Sequence, residues 1–271
     1  MMKIISADER LAEHRGVKLL IIGQTGIGKT SLVKTVDPRS VLLLDSDCGD
    51  LSIQDVPVDT IRIDDWQTAR DVACRIGGPN LSFSPLNCYS QAHYEKIGGA
   101  LPDLDRYKII VADSITATSR LSYRWCEQQP ETRSDRTGTR DTRATYGLHA
   151  REFLLWLNQL QHVYDKHVIF IGHLERLTDD FNRTLGFQVQ MEGAKVPREI
   201  GAIVDEFIIM DWVKFDGRDE PVRAFICTSP NCWNYPAKDR SGRLEQIEEP
   251  HLGKLLTKIV GPRPSDSTPK A

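Results

Sequence analysis

Glycine, lysine and threonine stand in this sequence at a spacing that binds phosphate. Gly23, Gln24, Thr25, Gly26, Ile27, Gly28, Lys29 and Thr30 fit GxxxxGK[ST] at every fixed position, and Ser31 follows. Glycines let such a loop wrap closely enough for backbone N–H groups to point at phosphate oxygens. A following helix adds the positive end of its dipole. Lys29 is expected to reach the β- and γ-phosphates, and the Thr30 hydroxyl to ligate Mg²⁺. The loop therefore predicts a bound nucleoside triphosphate, ATP with Mg²⁺. No motif in the chain reads the base.

Three further positions extend that chemistry. Mg²⁺ bound with a nucleotide takes a carboxylate from the end of a neighbouring strand. IIVADS offers Asp113 for this, although an aspartate there can instead cap the helix that follows. VLLLDSD ends in Asp45 and Asp47. Two carboxylates two residues apart on an extended segment point the same way, so one of them can face a γ-phosphate and orient a water, or both can be solvated turn acids. VIFIGHLER ends in His173, a polar group able to sense the γ-phosphate or a merely structural strand-end histidine.

These residues need elements to hold them. KLLII (18–22), VLLL (41–44), IIVA (109–112) and VIFI (168–171) are too short for helices and do not alternate, which is how strands buried on both faces read. EFIIMDWV (206–213) is a fifth apolar run. Between them, WQTARDVACRI (66–76) and GLHAREFLLWLNQLQHV (147–163) carry helical spacing, with Phe153, Leu154, Leu157, Leu160 and Val163 on one side. SLVKTV after the loop also reads as a helix. The alternation predicts an α/β fold: a mostly parallel central sheet flanked by helices. VKFDGRDEPVRAFIC (213–227) reads as a hairpin, so antiparallel strands are expected toward the C-terminus. Segments 77–86 and 128–146 read as irregular, and GPRPSDSTPKA as a flexible tail.

Composition narrows the setting. The 271 residues carry a formal charge of −3, so a nucleic-acid partner would have to be held by a local patch and not by a global basic field. The six cysteines form no CxxC and no zinc spacing, the start MMKIISADER has no apolar signal region, and no run approaches a membrane span. A cytoplasmic protein with reduced thiols is expected.

Taken in order, the P-loop, LLLDSD, IIVADS and FIGHLE resemble the RecA-like branch of P-loop ATPases. Within it they look most like the small ATP-binding proteins of phages and prophages, a group that includes Sak-type single-strand annealing recombinases. The resemblance runs over 17–259. It implies a RecA-like core at 16–250 after an N-terminal segment 1–15, a C-terminal helix at 251–260 and a tail at 261–271. IIVADS resembles the family's Walker B strand, which gives Asp113 to Mg²⁺. LLLDSD resembles the strand that ends in Asp-x-Glu, where the glutamate activates water; here Asp47 stands in its place, one methylene shorter. FIGHLE resembles the strand ending in the γ-phosphate sensor, at His173. That strand should lie between the P-loop strand and the Walker B strand. PAKDRSGRL resembles the basic KxK or KxR motif that reaches the neighbouring subunit's ATP, through Lys238 and Arg240. DNA would be held by 128–146, with Arg133, Arg136, Arg140 and Arg143 against Asp135 and Asp141, and by 179–197, with Arg183 and Lys195. Phe181 and Phe187 would stack on bases. The resemblance thus implies an ATP-hydrolysing protein acting on single-stranded DNA in recombination or annealing. It would self-associate as a ring or filament and have a single-strand-binding protein as a further partner. Two other readings stay open: a small-molecule or nucleotide kinase whose lid is the arginine loop 133–143, and an ATP-dependent assembly switch with weak hydrolysis.

Overall fold

A computed structural model of the chain describes residues 4–13, 15–134 and 136–261. The expected tail beyond 261 and Asp135 lie outside those residues. In chain order the elements are α1 (Ala7–Ala12), β1 (Lys18–Gly23), β2 (Val41–Asp45), β3 (Asp59–Arg62), α2 (Trp66–Gly77), α3 (Gln91–Lys96), β4 (Ile109–Asp113), α4 (Ile115–Cys126), α5 (Thr142–Gln161), β5 (His167–Thr178), β6 (Thr184–Val189), α6 (Lys195–Ile203), β7 (Glu206–Val213), β8 (Val222–Ile226), β9 (Lys238–Asp239), β10 (Ile247–Glu248) and α7 (Leu252–Val260).

The strands form one sheet in the order β10-β8-β7-β1-β5-β4-β2-β3, with β6 added to β5 and β9 to β7. From β7 to β3 every neighbour is parallel, and β8 and β10 run antiparallel at one edge. This is the mostly parallel sheet with antiparallel C-terminal strands that the apolar runs predict. The strand ending in His173 lies between the P-loop strand and the Asp113 strand, as the resemblance requires.

Every residue of β1, β2 and β4 is buried, because both faces are covered. Leu20, Ile22, Leu44, Ile110 and Phe170 face Phe153, Trp156, Leu157 and Leu160 of α5. Leu19, Ile21, Leu43, Val111 and Ile169 face the segment after the P-loop and Leu252, Leu255, Leu256 and Ile259 of α7. Burial of this extent contributes roughly 25 cal/mol per Å² of apolar surface and locks the strand register. Register is what aligns the strand ends: Gly23 lies opposite His173 and Met210, and Asp45 opposite Asp113.

Several expectations need correction. The segment after the loop, Thr30–Thr35, is a 3₁₀-helix and not an α-helix. α5 begins at Thr142, five residues before the apolar pattern does, because Asp141 caps it through the N–H groups of Arg143 (2.8 Å) and Ala144 (3.2 Å). Arg143 is thus helical and not part of an irregular loop. Segment 179–197 is also no open loop: β5 and β6 form a hairpin there, and Lys195 starts α6. β3 was not legible, since only one of its four residues is even partly buried. No helix among the described residues is long and apolar enough to cross a membrane.

Candidate nucleotide site

The P-loop sits at the C-terminal end of β1, where open α/β sheets bind ligands. Two of its glycines are needed for backbone reasons: Gly26 has φ 80° and Gly28 φ 97°, a region closed to most side chains. A Cβ on Gly23 would meet the Met210 carbonyl of β7. Lys29 Nζ turns back onto the loop and donates to the carbonyls of Gly23 (2.9 Å) and Gln24 (2.9 Å). Burial lowers its pKa to about 8, against the pull of Asp113 and Asp47. The loop thus holds a buried ammonium whose nearest partners are carbonyls, a state that an incoming phosphate would improve.

Thr30 and Asp113 are joined directly. The Thr30 hydroxyl donates to Asp113 Oδ2 at 2.5 Å, bringing the P-loop and the end of β4 together. Asp113 is buried, and desolvation raises its pKa to about 6; the Thr30 bond and Lys29 oppose this, while Asp47 and Asp45 add to it. A carboxylate that resists its own charge in this way, beside a hydroxyl, is a donor set for a hard cation. Among the described residues there is no group of three His, Cys, Asp or Glu for a metal. The pair therefore fits Mg²⁺ that shares its remaining positions with phosphate and water, and does not fit an all-protein metal cage.

The two acids after β2 part company. The strand ends at Asp45, whose Oδ2 takes Arg62 Nη1 of β3 at 2.6 Å and whose Oδ1 accepts the Asp47 N–H at 3.2 Å. They are not two acids of one extended segment. Asp47 is exposed, and its charge acts on Lys29, Asp113 and His173. His173 is level with Gly23 across the β1–β5 pair, and its N–H donates to Thr116 Oγ1 of α4 at 3.0 Å. Burial, and then the Lys29 charge, lower its pKa, so the imidazole is neutral near pH 7. Lys29, Thr30, Asp47, Asp113 and His173 therefore share one electrostatic neighbourhood.

Lys238 and Arg240 do not join it. β9 pairs with the first residues of β7, at the opposite edge of the sheet. Lys238 Nζ donates to the carbonyls of Gly201 (2.5 Å) and Val204 (2.6 Å), capping the C-terminus of α6. Arg240 bonds Asp205 (3.1 Å) and the Ala202 carbonyl (3.2 Å). Buried Glu206, raised to about 8 by desolvation and by Asp239, accepts the N–H groups of Arg240 and Ser241 and fixes the turn. In this protomer the two cations thus have intramolecular work.

The basic segments have side-chain partners of their own. Arg133 and Arg140 pair across a small bridge, and Arg140 is held by Tyr123 Oη of α4 (2.7 Å) and by Glu127, which follows that helix. Arg136 and Arg143 are exposed. In the β5–β6 hairpin Arg183 pairs with Asp179 (2.7 Å) and lies over the Phe181 ring, 80 % exposed, while Phe187 is half-buried against Tyr235. Lys195 faces Glu199 at 3.9 Å. His149, which carries no sequence signal, ties the two regions together. It bonds Ser122 Oγ of α4 (3.0 Å) and the Glu192 carbonyl after β6 (3.1 Å), and burial lowers its pKa to about 4.

A second residue without sequence signal is Arg223 of β8, whose Nη1 donates to the Ile27 carbonyl of the P-loop at 3.2 Å. Arginine near the start of an apolar strand fits no motif, and only the strand pairing brings it to the loop.

Comparison with known proteins agrees with the P-loop architecture. No curated protein matches the chain. Solved structures similar to it include the RadB recombinase, 15% identical over 82% of this chain and 94% of that one with a TM-score of 0.37. A KaiC-like protein from Pyrococcus horikoshii OT3 is 14% identical over 78% of each chain, at a TM-score of 0.36. The flagellar accessory protein FlaH from Methanocaldococcus jannaschii is 12% identical over 78% of this chain and 77% of that one, at 0.33. Likenesses of this size say nothing about substrate or partner. The family described as an AAA domain matches residues 15–241, which takes in the P-loop, Asp113, His173 and β9, and the chain belongs to that family.

Proposed function

We propose that this protein binds and hydrolyses ATP with Mg²⁺ while handling single-stranded DNA, as a RecA-like protein of the phage and prophage type whose subunits meet across the nucleotide. The observation that carries this reading is the Thr30–Asp113 bond beside Lys29, with His173 level with Gly23. Thr30 and Asp113 would hold Mg²⁺, which neutralises phosphate oxygens when bound. Lys29 would exchange its two loop carbonyls for phosphate. Asp47 is the exposed carboxylate of the group, suited to orient a water or take its proton. His173, neutral and in register with the loop, can hydrogen-bond a γ-phosphate oxygen or lose that bond when the phosphate leaves.

The DNA part of the reading has support from continuity. β5 runs without a break from the core through His173 to Thr178, so the sensor position and the hairpin belong to one strand. The hairpin carries Arg176, Phe181, Arg183 and Leu185, cations and apolar groups of the kind that grip backbone and stack on bases. A change in the bonding of His173 can therefore pass along the strand to a surface fit for single-stranded DNA.

The test is the anisotropy of a labelled oligothymidylate titrated with protein alone, with ATP·Mg²⁺, and with a non-hydrolysable analogue. The triphosphate should tighten binding in the wild type and do nothing in Lys29→Ala. Equal binding under all conditions in both proteins would separate DNA from the nucleotide and remove this reading.

A further inference from the structure

β7 and β8 stay paired past the end of β1, beside the P-loop, and their side chains alternate between the two faces of the sheet. On the loop's face, Ile208 and Met210 of β7 and Phe225 of β8 close the core against Ile27, Leu32 and Val33. The next positions on that same face are Trp212 and Arg223, cross-strand partners in the register. Neither joins the core, and Trp212 is 53 % exposed. Arg223 Nη1 reaches the Ile27 carbonyl at 3.2 Å, and its guanidinium occupies the space a Cβ would need at Gly28. Among the described residues it is the side chain from outside the loop that hydrogen-bonds a loop carbonyl, and it forms no ion pair there. A second cation thus lies against a loop that already has Lys29. Asp113 and Asp47 offset part of the Lys29 charge, but neither pairs with Arg223, and an anion held between the two cations engages both.

We infer that the β7–β8 hairpin forms the outer wall of the nucleotide site: Arg223 engages the phosphate chain of the nucleotide bound in the same subunit, and Trp212 offers its ring face to the nucleoside. The inference rests on the nucleotide reading of the P-loop and adds two residues to it. Gly28 is then required twice, for its positive φ and for the room it leaves the guanidinium. Arg223 acts in cis, in contrast to the basic motif at the far edge of the sheet.

Calorimetric titration of the full-length protein with ATP·Mg²⁺, ADP·Mg²⁺ and adenosine, together with tryptophan emission, tests this. Arg223→Ala should weaken ATP and ADP on the order of tenfold, about 1.4 kcal/mol, and leave adenosine unaffected. Arg223→Lys should recover part of the loss, and both variants should melt near the wild type without nucleotide. Nucleotide should quench tryptophan emission in the wild type and not in Trp212→Phe. Arg223→Ala binding ATP within about twofold of wild type would overturn the assignment of Arg223. An unchanged quench in Trp212→Phe would overturn that of Trp212. A wild type that binds no nucleotide would overturn the P-loop reading itself, and this one with it.

Discussion

Asp113 sets the electrostatics of the site, and its behaviour is predictable. Folding raises its pKa from 3.8 to about 6, chiefly by burial. Between about pH 4 and 6 the folded chain therefore binds more protons than the unfolded one, and stability contributed by this group is lost as pH rises through that window. Above pH 6 the full penalty is present. Asp113→Asn removes it, so at pH 7.5 the nucleotide-free protein should be stabilised by roughly 1–3 kcal/mol and melt several degrees higher. The same variant should lose the Mg²⁺-dependent part of nucleotide affinity. A variant that melts lower without nucleotide, yet keeps its Mg²⁺ response, would contradict this. Asp47→Asn should cut turnover about 100-fold with ATP affinity changed only a few-fold, measured by steady-state kinetics and titration; equal turnover would take Asp47 out of the chemistry. The placement of the loop and of Asp113 was legible because it depends on local spacing: glycines that shape the backbone, and an acid at the end of an apolar strand. The split between Asp45 and Asp47 was not, because it depends on Arg62, a residue of β3 brought to Asp45 by strand pairing.

Among the elements, the β5–β6 hairpin and β9 carry the consequences. Thr184–Val189 has only Val189 fully buried, so no alternation marks it as a strand, and 179–197 reads as a loop. Its surface still makes a definite prediction. Arg176→Glu with Arg183→Glu should weaken single-stranded DNA binding and reduce its salt slope by about 1 for each phosphate that the variant no longer neutralises. Phe181→Ala should weaken binding by roughly 1–3 kcal/mol with the salt slope kept. An unchanged slope in the double variant would move DNA off the hairpin. Lys238 matches a motif in the sequence, but the carbonyls of Gly201 and Val204 that it caps are backbone groups that no motif records. Lys238→Ala leaves both without this donor and should destabilise the protein by roughly 1–3 kcal/mol in denaturant unfolding. A variant as stable as wild type would show that the cap contributes nothing and free Lys238 for work in a neighbouring subunit.

At the scale of the whole molecule, the sheet separates two chemistries. The C-terminal strand ends gather the P-loop, Asp113, Asp47, His173 and the β5–β6 hairpin, while β9 places Lys238 and Arg240 at the other edge. The parallel core was legible because strands covered on both faces are apolar throughout, and that signal needs no knowledge of neighbours. The placement of β9 was not, since two paired residues hold too little pattern to read. The basic pair bonds α6 and Asp205 and not its own loop, so the proposed contact with ATP would be with that of another subunit. Turnover per subunit should then rise with protein concentration, in parallel with the mass seen by light scattering, and Arg240→Ala should lower turnover without lowering ATP affinity. Turnover per subunit that is independent of concentration would confine the activity to the monomer. The most direct measurement is ATP hydrolysis with and without single-stranded DNA, with Lys29→Ala as the blank. The account predicts Mg²⁺-dependent turnover that DNA stimulates and that Lys29→Ala abolishes. Turnover retained in Lys29→Ala, or wild-type turnover that DNA leaves unchanged, would contradict it.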